Sequence, residues 1–272
     1  MPNRAYLSAC LTFKDSALYL AEWLAFHSIQ GVEHFYLYNN ESSDHWQPIV
    51  EPYVRRGLAT VIDFPGKAVQ LPMYQHCLRN YGPRTRWLTF NDDDEFLFPV
   101  EEVPLSQVLA RYERYAGVAV PWMLYGSSGH QTRPPGLVVR NYVRRMSYPD
   151  RHVKCIVNPA KVIHPIASAH LFHCVPGECV VDENEKPLNE ALHPYPQAKI
   201  LRINHYLTKS IEEMEERRGR KITVDTGKVS ALPITQWRQL EADRWNEVED
   251  WIAARYADQV EASLRELSAP FG

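Results

Sequence analysis

The chain has 272 residues, of which 45% are hydrophobic, and its formal net charge is −3. This size and composition allow a full core, so we expect one large domain or one domain with an appendage, not a disordered chain. The charge offers no basic surface for nucleic acid, and no segment approaches the ~20 apolar residues that cross a bilayer.

The cellular setting is predicted from the cysteines and the first residues. Five scattered cysteines fit reduced thiols in a cytosol better than a disulfide framework. The chain enters a strand-like run without the apolar region of a signal peptide. We therefore expect a cytoplasmic protein and leave open a peripheral contact with the inner face of a membrane.

The first hundred residues alternate strand and helix patterns. Strands are predicted at residues 6–13, 34–38, 61–64 and 87–90, and helices at residues 16–30, 46–56 and 70–80. Asp15 or Ser16 can cap the first helix, and Gly31 is a plausible left-handed stop. The alternation predicts an α/β fold with a mainly parallel sheet flanked by helices. Ligands of such sheets bind beyond the carboxyl ends of the strands, so we expect the polar clusters there to share one crevice.

The second half of the chain departs from this alternation. We predict a helix at residues 105–115, strands at 118–124, 153–157 and 200–205, and a long loop at 126–136. Ser210 and Glu213 have the spacing of a capping box that opens a helix to about residue 218. Residues 234–267 carry apolar stripes typical of a helix packed against the sheet.

The most informative segment is the acidic run 92–95, which follows an apolar strand. Closely spaced carboxylates at the mouth of a core strand are costly unless a metal or a basic partner neutralises them. In an extended chain alternate side chains share a face, so Asp92 and Asp94 would point together while Asp93 points away. Hard oxygen ligands of this kind suit Mg²⁺ or Mn²⁺, particularly beside substrate phosphates. A hydrated acidic turn is the simpler alternative.

The order of several segments resembles glycosyltransferase family 92 and its bacterial family 2-like relatives. The segments that carry this resemblance are residues 13–15, 22–27, 31–40, 70–78, 87–99, 122, 126–134, 152–154 and 203–210. The resemblance spans residues 5 to about 220, and only the combination of segments is specific. It implies a GT-A fold, a Rossmann-like mainly parallel mixed sheet flanked by helices. We expect this domain at residues 1–220, with a C-terminal helical extension at 221–272 packed on it.

The resemblance also implies an activity, namely metal-dependent transfer of a sugar from a nucleotide-diphosphate donor, with inversion at the anomeric carbon. Asp92, Asp94 and His205 would bind Mn²⁺ or Mg²⁺. The donor, a UDP-sugar by preference, would contact residues Thr12, Phe13, Lys14, Asp15, Asn39, Asn40, Gln70, Asp93, Lys154 and Lys209. Many relatives have an aspartate where this chain has Asn39, which leaves the donor base open. The acceptor would be a glycan or a lipid-linked glycan.

An inverting transfer also needs a base for the acceptor hydroxyl. Asp182 and Glu183 are the first candidates, although a turn between strands explains them equally well, and His130 in the glycine-rich loop is the second. The remaining predicted substrate contacts are Trp122, Ser127, Ser128, Gly129, His152 and His173. Trp122 could instead be a core residue, and Ser127 to Gly129 could simply turn the chain.

Three other functions compete with this interpretation. Clustered acids also serve metal-dependent phosphoester hydrolases, which need no nucleotide sugar. A carbohydrate-binding domain could have kept the fold without turnover. Finally, His170, His173, Cys174 and Cys179 are compactly spaced zinc-ligand types, but structural zinc sites usually contain paired Cys-x-x-Cys units.

Overall fold

The strands and helices of the first hundred residues form where the sequence predicts them. A computed structural model describes residues 4–163, 168–219 and 233–268. Its first elements are β1 (Ala5–Phe13), α1 (Ala17–Ile29), β2 (His34–Asn39), α2 (Gln47–Arg55), β3 (Ala59–Asp63), α3 (Gln70–Tyr81), β4 (Thr85–Phe90) and β5 (Glu95–Pro99). Gly31 adopts φ +95° after α1, as a left-handed stop requires.

The remaining elements are shorter and more irregular. They are α4 (Leu105–Leu109), β6 (Gly117–Leu124), α5 (Val138–Asn141), β7 (Arg144–Arg145), β8 (Val153–Val157), β9 (Val180–Val181), β10 (Leu201–His205), α6 (Ile211–Gly219), α7 (Ile234–Asp243), β11 (Val248–Glu249) and α8 (Ala257–Ser268). Three short 3-10 helices lie at Gly82–Arg84, Ala110–Tyr112 and Ile252–Tyr256. None of the helices in these described ranges is long and apolar enough to cross a bilayer.

The main sheet confirms the predicted α/β class. Its order is β3-β2-β1-β4-β8-β6-β10-β5, with β9 paired to the start of β6. Strands β1 to β4 are mutually parallel and β6 is parallel to β10, whereas β8 and β5 run antiparallel to their neighbours. The last residues of β1, β2, β4, β6 and β10 therefore meet at one edge, where β5 begins. This arrangement brings the predicted polar clusters to the same side of the sheet.

Helix α1 fixes the start of β5. The buried indole of Trp23 donates its Nε1 hydrogen to the carbonyls of Asp92, at 2.9 Å, and Glu95, at 3.0 Å. His27 lies 2.8 Å through Nδ1 from the Trp23 carbonyl, and its Nε2 accepts the Leu97 amide at 3.3 Å. Burial lowers the pKa of His27 to about 4, so the ring is neutral and can accept that bond. The N-terminus of α1 is not capped by Asp15 or Ser16, because the Asp44 carboxylate accepts the Ala17 amide.

The C-terminal part is not the continuous helical region that we predicted. Helix α7 ends at Asp243, and β11 then pairs antiparallel with β7, with Val248 opposite Arg145. Helix α8 packs against α1 and α2. The helix predicted at residues 105–115 is likewise only α4 followed by a 3-10 turn. The Ser210 capping box is confirmed, since the Glu213 amide donates to Ser210 Oγ at 3.3 Å and the Ser210 amide donates to Glu213 Oε2 at 3.1 Å. The division at residue 220 stays a prediction, because residues 220–232 lie outside the described ranges.

Glu22 joins α1 to α5 through backbone hydrogen bonds. Its carboxylate accepts the amides of Val138, at 2.7 Å, and Val139, at 3.0 Å. Burial raises the pKa of Glu22 to about 7, although these two bonds oppose the shift. The folded protein therefore holds a proton at Glu22 that the unfolded chain releases at lower pH.

This proton predicts a loss of stability as pH rises. Between the unfolded pKa near 4.5 and the folded value of about 7, wild-type stability should fall relative to Glu22→Gln. The expected change is on the order of 3 kcal/mol, because each pKa unit corresponds to about 1.4 kcal/mol. Urea unfolding at pH 4 and pH 8 measures it, with the exposed Glu51→Gln as control. Equal pH dependence in wild type and Glu22→Gln would contradict the assignment.

Candidate functional site

The acidic run forms a tight turn between β4 and β5. The Glu95 amide donates to the Asp92 carbonyl at 3.1 Å. Because the chain turns here, the prediction that Asp92 and Asp94 share one face of an extended segment is wrong. Each aspartate side chain instead faces a different partner.

Asp92 is held by protein groups. Its Oδ1 accepts Gln70 Nε2 at 2.8 Å, and its Oδ2 accepts Lys154 Nζ at 3.0 Å. The Lys154 side chain is 1% exposed and also lies 3.6 Å from Glu95 Oε1. Burial opposes the charge, yet the attraction of Asp92 and Glu95 holds the pKa of Lys154 above its usual range. Lys154 is therefore a buried counter-ion of the turn, and this role replaces the phosphate contact that we predicted for it.

Asp94 lies between two basic side chains. Its Oδ1 is 3.3 Å from His205 Nε2, and its Oδ2 accepts Arg217 Nη1 at 2.6 Å. Burial opposes ionisation, but Arg217 and then His205 hold the pKa of Asp94 well below its usual range. Sequence reasoning missed Arg217, although its place six residues after the start of a recognised capping-box helix was a usable signal.

The register of β5 and β10 explains why His205 reaches this turn. Glu95 and His205 are antiparallel partners, and His205 is also the parallel partner of Leu124 at the end of β6. The C-terminal strand thus returns beside the acidic turn, as the resemblance implied for His205.

The pair Asp94 and His205 fits a divalent ion, whereas Asp92 does not. Asp94 Oδ1 is buried and has no hydrogen-bond partner within the described residues. Two ligand atoms that each lie about 2.1 Å from one ion are separated by roughly 3 Å, close to the observed 3.3 Å. No group of three or more His, Cys, Asp or Glu side chains gathers around a point in the described ranges. Further ligands of an ion here would come from water, a substrate or other oxygen groups.

Several other buried polar atoms near this turn lack hydrogen bonds. Gln70 Oε1, Glu95 Oε1 and His205 Nδ1 are also buried without a hydrogen-bond partner among the described residues. Buried polar atoms are normally paired, so a cluster of unpaired ones indicates a place for bound water or ligand.

Lys209 and Asp93 are the remaining charged residues of the acidic turn and its surroundings. The Ser16 hydroxyl donates to Asp93 Oδ2, and the Lys209 ammonium lies 3.7 Å from the centre of the Tyr19 ring. Burial lowers the pKa of Lys209, while Asp93 and Asp94 oppose this shift. The structure therefore brings Lys209 to the site, as predicted for a phosphate contact.

The residues predicted to bind the nucleoside lie at the neighbouring ends of the parallel strands β1 and β2. Thr12 is half-buried, Lys14 is exposed, and Phe13 packs on Trp46. Asp15 accepts the Ser43 amide at 2.7 Å, so its carboxylate links the two loops.

The side chains of Asn39 and Asn40, at the end of β2, already form hydrogen bonds within the protein. Asn40 donates to the carbonyls of Phe64 and Gly66. Asn39 Nδ2 donates to Asp63 Oδ1 at 2.8 Å, and Asp63 is exposed. Sequence reasoning missed Asp63, whose position at the end of the predicted third strand placed it beside Asn39.

A cluster of aromatic and imidazole rings surrounds Trp122, next to His205. The Trp122 ring lies 4.4 Å from the His205 ring and 5.3 Å from the His170 ring, measured between centroids. The His152 ring stacks on Trp122 at 5.1 Å and 23°. Of the predicted substrate contacts, Trp122 therefore adjoins His205, and His152 is connected to this place through its stacking on Trp122.

The structure contradicts the predicted catalytic bases. Asp182 Oδ1 accepts the amides of Asn184 and Lys186, and its Oδ2 lies 3.2 Å from His193 Nε2. Glu183 accepts the amides of Lys199 and Ile200. Both carboxylates hold turns, as the simpler interpretation expected. His130 Nε2 lies 3.1 Å from the Asn141 carbonyl and so connects the glycine-rich loop to the end of α5.

The loop at residues 127–129 also holds other parts of the protein in place. Ser127 contacts Glu241 of α7 through its amide and hydroxyl. Ser128 Oγ accepts the amides of Val143 and Arg144, and the Gly129 amide donates to Ser127 Oγ. Because the hydroxyls of Ser127 and Ser128 already bind Glu241 and backbone amides, the structure gives them a structural role in place of the predicted sugar contacts. Gly129 is exposed, and its sugar contact stays a prediction.

The possible zinc ligands do not converge within the described ranges. His173 is exposed and makes no described contact with the acidic turn, contrary to our prediction. His170 Nδ1 lies 3.0 Å from the Val153 carbonyl, and Cys174 and Cys179 are half-buried free thiols.

The buried Lys154 predicts a large stability effect. Lys154→Met should lower the free energy of unfolding by about 3 to 5 kcal/mol, because it leaves Asp92 and Glu95 without their buried cation. Arg55→Met, which removes the exposed pair with Glu51, should cost less than about 1 kcal/mol. Urea unfolding of both variants at pH 7 tests the difference. Similar small losses would show that Lys154 is not the counter-ion of the turn.

Comparisons with known proteins identify the family of this chain. A glycosyltransferase family 92 protein of Ricinus communis is 24% identical over 287 aligned residues, covering 97% of this chain and 49% of the relative. A glycosyltransferase family 92 protein of Oryza sativa subsp. japonica is 30% identical over 178 residues, covering 63% of this chain and 30% of the relative. This chain thus spans half or less of the length of these curated relatives.

A solved structure with partial similarity is S. aureus TarS 1-349 in complex with UDP-GlcNAc. It is 12% identical, covers 88% of this chain and 71% of that chain, and gives a TM-score of 0.42. The family model of glycosyltransferase family 92 matches residues 6–240, which is most of the sequence. This chain belongs to glycosyltransferase family 92.

Proposed function

We propose that this chain transfers a sugar from a nucleotide-diphosphate donor, a UDP-sugar by preference, to a hydroxyl of a glycan or lipid-linked glycan, with inversion. Family membership supports glycosyl transfer. The observation that carries the proposal is the buried Asp94 Oδ1, which lies 3.3 Å from His205 Nε2 and accepts no hydrogen bond from the described residues. Action in the cytoplasm, with contact to the inner face of a membrane, belongs to the same proposal.

Asp94 and His205 would hold Mn²⁺ or Mg²⁺. Such an ion neutralises the charge that develops on the departing diphosphate. Asp92 would not be a ligand in this arrangement, since Gln70 and Lys154 bind both of its oxygens. Its role would be to keep the turn in place.

Two cations of this chain are suited to the diphosphate. The Lys209 ammonium lies over the Tyr19 ring, and within the described residues no carboxylate forms an ion pair with it. The Arg217 side chain is 58% exposed although it binds Asp94. An exposed guanidinium can exchange a carboxylate for a phosphate, and its planar fork suits both.

The nucleoside would bind beside the neighbouring ends of β1 and β2. Asp63, oriented by Asn39, offers there the carboxylate that Asn39 itself lacks. The acceptor would approach along Trp122, because aromatic faces suit sugar rings.

Replacement of Asp94 tests the site directly. In Asp94→Asn we expect UDP release from UDP-galactose, UDP-glucose and UDP-GlcNAc, measured with Mn²⁺ and p-nitrophenyl glycoside acceptors, to fall at least 100-fold. The fold should persist, because asparagine has the shape of aspartate and its amide oxygen can still accept from Arg217 Nη1. Unchanged turnover with an unchanged thermal midpoint would overturn the assignment. Nucleotide-independent cleavage of bis(p-nitrophenyl) phosphate would instead support a phosphoester hydrolase.

Replacement of His205 tests the second ligand. In His205→Ala we expect the Mn²⁺ concentration for half-maximal rate to rise about 10- to 100-fold, as loss of a metal-site group commonly does. His34→Ala is the control, because His34 begins β2 at the opposite edge of the sheet. An unchanged Mn²⁺ requirement in His205→Ala would show that this histidine is structural.

A further inference from the structure

Asp150 and His152 form a hydrogen-bonded pair just before β8. Asp150 Oδ1 lies 2.6 Å from His152 Nδ1 and accepts the His152 amide at 2.9 Å. Burial opposes ionisation, but the His152 side chain and amide hold the pKa of Asp150 below its usual range. Asp150 is therefore a carboxylate that fixes the orientation of an imidazole.

The backbone of Trp122 holds this pair beside the site. The Asp150 amide donates to the Trp122 carbonyl at 2.8 Å, and the Trp122 amide donates to the His152 carbonyl at 3.2 Å. The His152 ring stacks on one side of Trp122, whose ring also contacts His205. Trp122 therefore connects the Asp150–His152 pair to His205, the proposed metal ligand.

The hydrogen bond to Asp150 determines which ring nitrogen of His152 is basic. A carboxylate only accepts, so Nδ1 carries the hydrogen and Nε2 has the lone pair. No hydrogen bond to His152 Nε2 occurs within the described residues, and the side chain is 44% exposed. This nitrogen is accessible to a substrate.

We propose that His152 is the general base of the transfer reaction, positioned by Asp150 and Trp122. This inference rests on the proposed function. His152 Nε2 accepts the proton of the acceptor hydroxyl while the hydroxyl oxygen bonds to the anomeric carbon. The bond from that carbon to the diphosphate oxygen breaks, and its electron pair leaves with the nucleotide.

The neighbouring titratable groups do not offer the same chemistry. Asp182 and Glu183 are bound by backbone amides, and His130 faces a carbonyl. His170 also contacts Trp122, but burial lowers its pKa to about 4, which makes it a weak base at neutral pH. Of these groups, His152 alone combines a carboxylate partner with an accessible nitrogen.

The test compares His152→Gln with wild type in the UDP-release assay. We expect kcat to fall about 100- to 1,000-fold, the usual contribution of a general base. The Kd for UDP with Mn²⁺, measured by calorimetry, should stay within about twofold, because the base does not contact the nucleotide. Asp150→Asn should lower kcat at least tenfold with the same UDP affinity, since it removes the orienting charge.

Chemical rescue separates a base from a stacking residue. Added imidazole should restore part of the kcat of His152→Ala, which a lost packing contact would not allow. The matched control is His193→Gln, which removes another aspartate-paired imidazole. Both His193 nitrogens are engaged, by Asp182 and by the Tyr195 amide, so its kcat should stay within about twofold.

The outcomes distinguish this inference from the proposed function. A wild-type protein that releases no UDP from any of the donors overturns the proposed function and the base with it. An active wild type with unchanged kcat in His152→Gln overturns only the base. A lower kcat that imidazole does not restore, together with a raised acceptor KM, assigns a stacking role to His152 and also overturns the base.

Discussion

The site depends on the neutralisation of four neighbouring carboxyl groups at the end of a core strand. Three cations of the chain face them: Lys154 from inside the sheet, and Lys209 and Arg217 from the segment after β10. Lys154 is almost fully buried and cannot leave, whereas the Arg217 side chain is more than half exposed. The inner half of the turn thus has a buried counter-ion, and the outer half has a counter-ion that is open to solvent.

The turn itself is positioned by the core. Trp23 binds two of its carbonyls and His27 binds the Leu97 amide, so α1 determines where β5 begins. Both side chains are fully buried, and the low pKa of His27 keeps this contact uncharged. Buried side chains of α1 therefore fix the backbone of the turn. A site that orients charged groups needs such fixed positions.

Much of this architecture was predictable because hydrophobic periodicity and strand ends are local features. The alternating elements, the capping box at Ser210 and the convergence of the acidic turn with His205 and Lys209 all followed from the sequence or from the family resemblance. Side-chain pairing could not be predicted in the same way. Lys154 points inward and Arg217 reaches back to Asp94 only because distant strands and helices meet there, and sequence spacing contains no such information.

The same limit explains the failed base assignments. Asp182 and Glu183 are acids in a plausible region, but their oxygens close turns by accepting backbone amides. Asp150 carries no distinguishing motif, and its pairing with His152 emerges only where both meet the backbone of Trp122. The long C-terminal helix was likewise interrupted by a strand pairing, β11 with β7, that its periodicity did not reveal.

The antiparallel pairing of β5 with β10 has a consequence for how this sequence can change. Glu95 lies opposite His205, so Asp94 meets the imidazole only while these strands keep their alignment. Insertion or deletion of a single residue within either strand would turn His205 to the other face of the sheet, even where every hydrogen-bonded partner is regained. Length variation among sequences that keep this chemistry should therefore be confined to the loops, and these two strands should tolerate substitution but not indels.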